Sequence, residues 1–400
     1  MESTRLTQAK NAKIDEFYTQ WEVIEKEVQA YLDFDPDVFR GKTILCPCDD
    51  PEWSNFTKFF ALHFREYGLK KLISTSYALE SKSFKPTYQT TLFELDSPKY
   101  DKKKTNIRGK IFILDEDSNK DGKIDIDDLK WDYMSGDGDF RSAEVKKLRD
   151  EADVIVTNPP FSLFREFLSW ITKAKKQFLI IGNITAVSYK EVFPLIMRNE
   201  LWLGPSITSG DRIFNVPDNF NLYGATCGTD DDGRKYIRIK GVRWFTNLEH
   251  RRRHEPRDLM TMAENLKFSK HKEIRGKTAY EKYDNYDAIE VPFSDAIPSD
   301  YNGIMGVPIS FLDKYNPEMF EILGATQRGC HDAVPDTKKY DDYWEVKQNG
   351  TPTGSSGSKT NENANLVRND GKKNYFINKD GRIIQSAFQR IFIKHKEVKK

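Results

Sequence analysis

Asp153–Phe167, which reads DVIVTNPPFSLFREF, is the stretch that decides the expected fold. Val154-Ile155-Val156 is a short β-branched run, and such a run predicts a buried strand. After it, apolar side chains recur at helical spacing: Leu163, Phe164, Phe167 and Leu168. Asn158-Pro159-Pro160-Phe161, the NPPF turn, therefore lies between a strand and a helix, which is where open α/β sheets bind their ligands.

The composition of the NPPF turn indicates the chemistry of a ligand. Pro159 and Pro160 lack N–H donors, which leaves backbone carbonyls free to accept hydrogen bonds. Asn158 adds a side-chain carbonyl and Phe161 a flat apolar ring. This set suits a planar ring with an exocyclic amine: Asn158 and the Pro159 carbonyl hold the amine hydrogens while Phe161 stacks. The alternative is a proline-stiffened turn with a buried phenylalanine, and the strand–turn–helix context favours the ligand site.

Length and composition indicate a reduced cytoplasmic enzyme. Four hundred residues exceed what one hydrophobic core usually serves, so we expect two domains. Apolar residues make up 38% of the chain, enough for packed cores. There is no apolar run of about 18 residues to cross a membrane and no apolar segment of a secretory signal at the N-terminus. The four cysteines form neither a disulfide framework nor a zinc motif.

The net charge of +1 hides two oppositely charged segments. Asp115–Asp139 carries ten acidic residues and three lysines, a balance of −7. Arg251–Lys282 carries ten Lys or Arg residues and five acidic ones, a balance of +5. A concentrated basic segment in a neutral chain is compatible with a nucleic-acid face, and a solvated charged helix is the alternative.

A second strand–turn–helix, at Thr43–Phe64, is the usual place for a nucleotide cofactor in such folds. It lacks the glycine-rich fingerprint, so we do not expect it to cradle phosphates. Asp49 and Asp50 in its turn instead fit a cofactor with hydroxyls and an amino acid tail. Helix capping by these aspartates is the alternative.

Another candidate turn is Gly136–Ser142, GDGDFRS. Asp137 and Asp139 offer acceptors for an adenine amine, and Phe140 offers a stacking face. A Gly/Asp turn with one anchoring aromatic residue is the alternative.

The segment DSNKDGKIDIDD, at residues 117–128, resembles a calcium-binding loop. Alternating oxygen ligands with a central glycine are what Ca²⁺ requires. The last position holds an aspartate rather than a bidentate glutamate, and an acidic surface turn is the alternative. The candidate ligands are Asp117, Asn119, Asp121, Asp125 and Asp128.

Periodicity and turn signals predict several further elements. They are a helix over Ala12–Leu32, a hairpin formed by Tyr236–Ile239 and Val242–Thr246, a short helix over Asn316–Leu323, a flexible loop over Asn349–Asn363, and a terminal strand over Phe388–Lys394.

Several longer motifs resemble the EcoRI-type adenine-specific DNA methyltransferases, a family of modification methylases. They run nearly from end to end: DEFYTQ (15–20), CDDPEWSNF (48–56), GDGDFRS (136–142), ADVIVTNPPFSLFREF (152–167), VFPLI (192–196), LWLG (201–204), VRWFTNL (242–248), MGVPISFLDKYNPEMFEILG (305–324) and RIFIK (390–394).

The resemblance implies an α/β fold with a Rossmann-like S-adenosylmethionine-dependent methyltransferase sheet at 1–250 and an α+β target-recognition region at 251–400. It implies methyl transfer to N6 of an adenine flipped out of double-stranded DNA. One alternative is an enzyme that methylates RNA, cytosine N4 or protein glutamine. The other alternative is a DNA-binding relative without catalytic activity.

The resemblance also implies roles for individual residues. The cofactor would contact Phe17, Tyr18, Thr19, Asp49, Asp50, Asp139 and Phe140, and the target adenine would contact Asn158, Pro159, Pro160 and Phe161. The basic segment, rather than the resemblance, predicts DNA contacts for Arg251, Arg252 and Arg253, with a merely solvated face as the alternative. We further expect a monomer that is the modification component of a restriction-modification system, with a partner restriction endonuclease that acts on the same site. An orphan or phage methylase is the alternative.

Overall fold

The structure, a computed structural model, describes residues 18–49, 54–78, 99–216, 226–230, 233–326 and 334–396. The chain divides into two compact units. Unit 1 comprises Met1–Ala186 and Leu201–Arg251, and unit 2 comprises Val187–Glu200 and Arg252–Lys400. The roles expected for residues 1–250 and 251–400 stay predictions. No helix within the described ranges is long and apolar enough to span a bilayer.

Unit 1 alternates strands with helices. Its described strands are β1 (Tyr18–Thr19), β2 (Thr43–Cys46), β3 (Lys71–Ser76), β4 (Lys110–Leu114), β5 (Lys130–Tyr133), β6 (Val154–Thr157), β7 (Gln177–Asn183), β8 (Trp202–Leu203), β9 (Asp211–Asn215), β10 (Cys227–Thr229), β11 (Lys235–Lys240) and β12 (Val242–Thr246). Its described helices are α1 (Trp21–Leu32), α2 (Asn55–Leu62), α3 (Lys102–Ile107), α4 (Ala143–Glu151) and α5 (Phe164–Lys173).

The main sheet of unit 1 has the strand order β5-β4-β3-β2-β6-β7-β12-β8. The four central strands, β3-β2-β6-β7, are parallel, and β4, β5, β12 and β8 add antiparallel pairs at the two sides. The connection through α2 leads from β2 outward to β3. The connection through α5 leads from β6 outward to β7, in the opposite direction along the sheet. The crevice between β2 and β6 is therefore the point where strand order reverses, the usual ligand site of such sheets. The expected α/β class is confirmed.

Burial explains why the central strands form where the sequence predicts them. All four residues of β2 and all four of β6 are buried, as is typical of parallel strands covered on both faces. α5 buries one stripe of side chains: Phe164, Phe167, Leu168, Trp170 and Ile171. Their helical spacing packs one face of α5 on the sheet and leaves the opposite face in water.

A second, four-stranded sheet in unit 1 has the order β1-β9-β11-β10. The expected helix over Ala12–Leu32 is corrected within the described residues, because Tyr18–Thr19 is a strand and α1 begins at Trp21. The expected hairpin is wrong as well. β11 pairs with β9 and β10, whereas the next strand, β12, pairs with β7 and β8. Gly241, at φ +71°, lets the chain pass from one sheet to the other.

Unit 2 is mainly β within the described ranges. Its helices are α6 (Phe193–Met197) and α7 (Met262–Phe268), and its strands are β13 (Ile289–Glu290), β14 (Met305–Pro308), β15 (Phe320–Ala325), β16 (Trp344–Val346), β17 (Pro352–Ser356), β18 (Asn365–Leu366), β19 (Tyr375–Ile377), β20 (Ile383–Ser386) and β21 (Arg390–His395). They form a four-stranded sheet, β13-β14-β21-β15, and a five-stranded sheet, β17-β16-β19-β20-β18.

Two expectations for unit 2 are corrected. The short helix expected over Asn316–Leu323 is not formed, since Phe320–Ala325 is β15 and pairs with β21. The flexible loop expected over Asn349–Asn363 contains β17, which pairs with β16. In both places pairing with a distant strand overrides the local signal. The terminal strand is confirmed as β21 at Arg390–His395.

Candidate active site at the carboxyl edge of the main sheet

The NPPF turn joins β6 to α5 at the carboxyl edge of the parallel strands, as the sequence predicts. Asn158 and Phe161 are half-buried, and the two prolines between them are buried. The Pro160 carbonyl accepts a hydrogen bond from the Leu163 N–H at 2.9 Å, which opens a short 3-10 turn before α5. The turn thus keeps an amide side chain and an aromatic ring partly accessible at the switch point of the sheet.

Asp49 connects the turn after β2 to the NPPF turn. Its carboxylate is only 4% exposed. Oδ1 accepts the Ser54 hydroxyl at 2.5 Å, and Oδ2 accepts the Thr157 hydroxyl at 2.5 Å. The Asp49 N–H donates to the Thr75 carbonyl at 2.9 Å, at the end of β3. Because Thr157 directly precedes Asn158, this one aspartate holds three strand ends in register.

Cys48, the residue before Asp49, has a left-handed backbone with φ +67°. Such a conformation is usually supplied by glycine and costs another residue on the order of 1–2 kcal/mol. The turn therefore has one conformational feature of a glycine-containing turn, although a cysteine occupies the position.

The small sheet brings Tyr18 and Thr19 next to both turns. The Thr19 carbonyl accepts a hydrogen bond from the Asn55 side chain, at the start of α2, at 2.8 Å. Thr19 also pairs with Phe214 of β9. The Phe214 ring meets the Phe161 ring edge to face, with centroids 6.5 Å apart. Tyr18 and Thr19, which are far from the NPPF turn in sequence, are therefore its neighbours in the fold.

The GDGDF turn, Gly136–Phe140, packs on the end of β3. The Ala78 N–H donates to the Asp137 carbonyl at 2.8 Å. A Cβ on Gly138 would lie 2.3 Å from the Ser76 carbonyl oxygen, and Gly138 has φ +87°. Only glycine allows this close approach of two backbones. The turn is thereby placed at the same edge of the sheet as the other two.

The side chains of Asp139 and Phe140 differ in what they can offer a ligand. Asp139 is half-buried, and its carboxylate is held by Arg141, with Nε 2.8 Å from Oδ1 and Nη2 2.5 Å from Oδ2. The Phe140 ring is fully buried and packs edge to face against Phe167 and Trp170. The stacking face expected of Phe140 is corrected accordingly, because its ring belongs to the core. Its backbone N–H is hydrogen-bonded to the Tyr77 side chain.

Tyr77 is a candidate that the sequence reasoning missed. It follows β3 directly, between Thr75, whose carbonyl is bonded to the turn after β2, and Ala78, whose N–H is bonded to the GDGDF turn. Burial raises the pKa of the half-buried Tyr77 well above its ordinary value, and the nearby Cys48 and Asp139 raise it further. The signal available in the sequence was a tyrosine that ends a strand at the carboxyl edge.

Two expected cofactor residues, Phe17 and Asp50, lie outside the described residues. The remaining expected cofactor residues all lie at the carboxyl edge of the main sheet or against it. They are Tyr18, Thr19, Asp49, Asp139 and Phe140.

The three arginines expected to contact DNA form a short 3-10 helix, Arg251–Arg253. Arg251 is exposed and Arg252 partly exposed, but Arg253 is only 5% exposed. Its Nη2 donates to Asn199 Oδ1 at 3.0 Å, and its guanidinium lies over the Tyr315 ring. The expectation for Arg253 is therefore corrected to a packing role within unit 2, because it is buried away from any phosphate.

The calcium site expected at residues 117–128 is not supported. Within the described residues, no group of three or more acidic, His or Cys side chains is placed to hold a metal ion. The loop oxygens instead accept backbone N–H groups of the same loop: Asp117 from Gly122, Asn119 from Asp121, Asp121 from Lys123, Asp125 from Asp127, and Asp128 from Ser118, Asn119 and Asp125. The segment is thus organised as a series of side-chain-capped turns.

Comparison with known proteins adds an independent finding. A family model described as adenine-specific methyltransferase EcoRI matches residues 5–396. The Type II methyltransferase M.EcoRI of Escherichia coli is 42% identical over 318 residues, which cover 80% of this chain and 88% of the relative. The Type II methyltransferase M.MpnI of Mycoplasma pneumoniae is 36% identical over 317 residues, which cover 79% of this chain and 83% of the relative. No solved structure matches.

Proposed function

The chain belongs to the EcoRI family of adenine-specific methyltransferases, and on that premise we propose that it methylates adenine N6 in double-stranded DNA, with S-adenosylmethionine as the donor. The observation that carries the proposal is the NPPF turn at the switch point of the main sheet, between a buried strand and a helix. An amide, two prolines and an aromatic ring at that point suit an adenine and its exocyclic amine.

Asn158 and Pro159 are the residues proposed to act on the reacting nitrogen. Adenine N6 is a poor nucleophile because its lone pair is delocalised into the ring. The Asn158 side-chain carbonyl and the Pro159 backbone carbonyl accept its two hydrogens, which favours a tetrahedral nitrogen and localises the lone pair. Positioning and hydrogen bonding then account for catalysis without a covalent intermediate.

Phe161 is proposed to hold the base, with Pro160 fixing the backbone that presents it. N6 cannot be reached inside a duplex, so the adenine leaves the stack. The half-buried Phe161 ring packs edge to face with Phe214. It offers the base a surface that replaces part of the lost stacking.

The donors and acceptors beside the NPPF turn fit S-adenosylmethionine. When bound, this cofactor supplies an electrophilic sulfonium methyl group. The Asp139 carboxylate and the Tyr77 hydroxyl offer groups for adenosine, and Tyr18 and Thr19 lie near the Phe161 ring through Phe214. Phe17 and Asp50 complete the proposed contacts.

Asp49 is proposed to serve the same site from within the protein. Both of its carboxylate oxygens already accept hydroxyl groups of the chain. We therefore propose that it positions the NPPF turn through Thr157, and that any contact it makes with cofactor is secondary.

The wider setting follows from the relatives, which are Type II methyltransferases. The chain is proposed to be the modification component of a restriction-modification system, with unit 2 supplying target recognition and Arg251 and Arg252 contacting phosphates. A cognate endonuclease would then be blocked at the sites that this chain methylates.

Tritiated S-adenosylmethionine with duplex DNA tests the activity, and long-read sequencing of DNA from expressing cells maps the modified base. N6-methyladenine at one recurrent sequence is the expected result. Label that stays with RNA, with protein or with cytosine would contradict the proposal, and so would wild-type protein that transfers no label.

A further inference from the structure

Phe388 is the most exposed large apolar side chain in the described part of the chain. Its side chain is 79% exposed, and it lies in the short connection between β20 and β21. A single exposed aromatic ring of this size is unfavourable in water, and burying it against a partner would contribute binding energy. No function described above uses it.

The backbone that carries Phe388 is anchored on both sides. Before it, the Ala387 N–H donates to the Ala364 carbonyl at 2.7 Å. After it, Arg390 donates from Nη1 to the Phe388 carbonyl at 3.2 Å. The Arg390 guanidinium is itself held in a buried ion pair with Glu290, with Nε 3.0 Å from Oε2. The ring is therefore presented to solvent from a fixed position, which lowers the entropy that binding would have to overcome.

One cation lies against the ring. The Lys373 ammonium lies 5.1 Å from the Phe388 ring centroid and donates to the Ser386 carbonyl. Lys373 has no carboxylate partner within ion-pair distance among the described residues. Burial lowers the pKa of Lys373, and the neighbouring Arg368 and Arg390 lower it further, while Asp370 and Glu290 oppose them. An anion beside Lys373 would relieve this repulsion.

Arg368 and Lys372 extend the positive charge. Arg368 pairs through Nη1 with Glu281 at 2.6 Å, and its buried Nε has no hydrogen-bond partner. Lys372 is exposed and also makes no ion pair among the described residues. We name this group, Arg368, Lys372, Lys373 and Phe388, the Phe388 surface.

We propose that the Phe388 surface contacts DNA, with the phenyl ring stacked against or between bases and the cations on the flanking phosphates. The proposal rests on the proposed function, because duplex DNA is then the substrate. Phenylalanine is one of the side chains that proteins insert between base steps, and Lys and Arg are the usual phosphate contacts. One aromatic ring among cations suits a nucleic acid better than an apolar protein partner, which needs a contiguous apolar patch.

Three substitutions separate the ring from the charge. Phe388→Ala removes the ring, Phe388→Trp preserves stacking, and Lys373→Gln removes one charge. Their matched controls are Phe34→Ala and Lys70→Gln in unit 1. Phe34 is 44% exposed and lies between α1 and β2, and Lys70 is exposed and precedes β3, so both are at the amino edge of the parallel strands.

The probe is a short fluorescein-labelled duplex that contains an adenine mapped as methylated by the wild type. We expect Phe388→Ala to weaken binding by about 5- to 150-fold, the range for one base–aromatic stack, and Phe388→Trp to restore it. Lys373→Gln should lower the slope of log affinity against log salt by about 0.9. Cofactor affinity and melting temperature should stay at wild-type values in all variants.

Wild-type binding in both Phe388→Ala and Lys373→Gln would overturn the proposal, and so would equal losses in the unit 1 controls. A loss of binding that Phe388→Trp does not restore would overturn the stacking role. Failure of the proposed function would look different, since the wild type itself would then transfer no methyl group to DNA.

Discussion

The turn after β2 and the GDGDF turn each carry an aspartate for which the sequence predicts contact with the same cofactor, yet the structure holds the two in different ways. Asp49 is 4% exposed, and two hydroxyls donate to its carboxylate. The Asp139 side chain is 20% exposed, and its carboxylate is paired with the guanidinium of Arg141, whose side chain is 47% exposed. The first is part of the protein's internal structure and the second lies where a ligand can reach it.

This difference separates two kinds of effect. A change at Asp49 is transmitted through Thr157 to the NPPF turn, so it should alter the rate at saturating substrates. A change at Asp139 or its neighbour Tyr77 should alter cofactor affinity instead. The substitutions below, with their controls, test this separation, and the first of them is in the NPPF turn.

Asn158→Ala should give the largest effect. The substitution removes one acceptor from the target amine and leaves both prolines and Phe161 in place. The contact is stronger in the transition state than in the ground state, so kcat should fall on the order of a hundredfold or more while cofactor affinity is kept. Methyl transfer at saturating cofactor measures this. A kcat near that of the wild type would show that the chemistry lies elsewhere.

Asp49→Asn should give the next largest effect. It replaces a buried acceptor with an amide that cannot accept both hydroxyls, at a cost of about 1–3 kcal/mol in unfolding free energy. Because the NPPF turn loses part of its support, kcat should fall roughly tenfold, with cofactor affinity nearly unchanged. Urea denaturation, steady-state kinetics and calorimetric cofactor binding measure the three quantities.

Ser54→Ala is the matched control for Asp49→Asn. It removes the hydroxyl on the other carboxylate oxygen and the cap of α2, where Ser54 accepts from the Phe56 N–H at 3.2 Å. It should therefore lower stability by about 1 kcal/mol while kcat stays at the wild-type value. Equal losses of kcat in the two variants would mean that Asp49 acts only through stability.

The sequence was sufficient for the parts of the fold that are local. β6, the NPPF turn and α5 are encoded within the twenty consecutive residues Val154–Lys173 by a buried apolar run, two prolines and a helical repeat. The partners of Asp49 were not predictable, because Thr157 lies 108 residues away and nothing in either segment identifies the other. The contact of Phe214 with Phe161 likewise joins two segments that are distant in sequence.

Errors in the sequence reasoning have a common physical cause. Phe140 and Arg253 were given ligand contacts on the basis of residue type, and both are buried in packing contacts. A local pattern shows which side chains are able to stack or to bind phosphate, but not which way the tertiary structure turns them. β15 replaces an expected helix for a similar reason, since pairing with β21 decides its conformation.

Tyr77→Phe tests the cofactor contacts proposed beside the GDGDF turn, and its expected effect is smaller than that of Asp49→Asn. The ring remains, and only the hydroxyl, whose pKa is raised by burial and by the nearby Cys48 and Asp139, is removed. Loss of one neutral hydrogen bond typically costs 0.5–1.5 kcal/mol, so the cofactor dissociation constant should rise about 2- to 12-fold with kcat at saturation unchanged. Calorimetric titration with S-adenosylmethionine measures the change.

Tyr133→Phe is the control for Tyr77→Phe. The Tyr133 hydroxyl bonds to Thr105 at 2.7 Å and to the Asp101 carbonyl at 3.0 Å, in contacts with α3 and the residue that precedes it. Cofactor affinity should be unaffected there. Unchanged affinity in Tyr77→Phe as well would remove Tyr77 from the cofactor contacts.

The smallest effect is expected for substitutions of Cys48. Their effect on the free energy of unfolding tests the backbone conformation of the turn after β2. At φ +67° a side chain is strained and glycine is not, while glycine also gains more freedom on unfolding. Comparing Cys48→Gly with Cys48→Ala cancels the loss of the thiol, because both variants lack it. The glycine variant should be the more stable of the two by about 1 kcal/mol in urea denaturation, since removing the strain outweighs the added unfolded-state entropy. Equal stabilities would mean that the turn is not held in the left-handed conformation in solution, and the register that Asp49 imposes on the NPPF turn would then need another source.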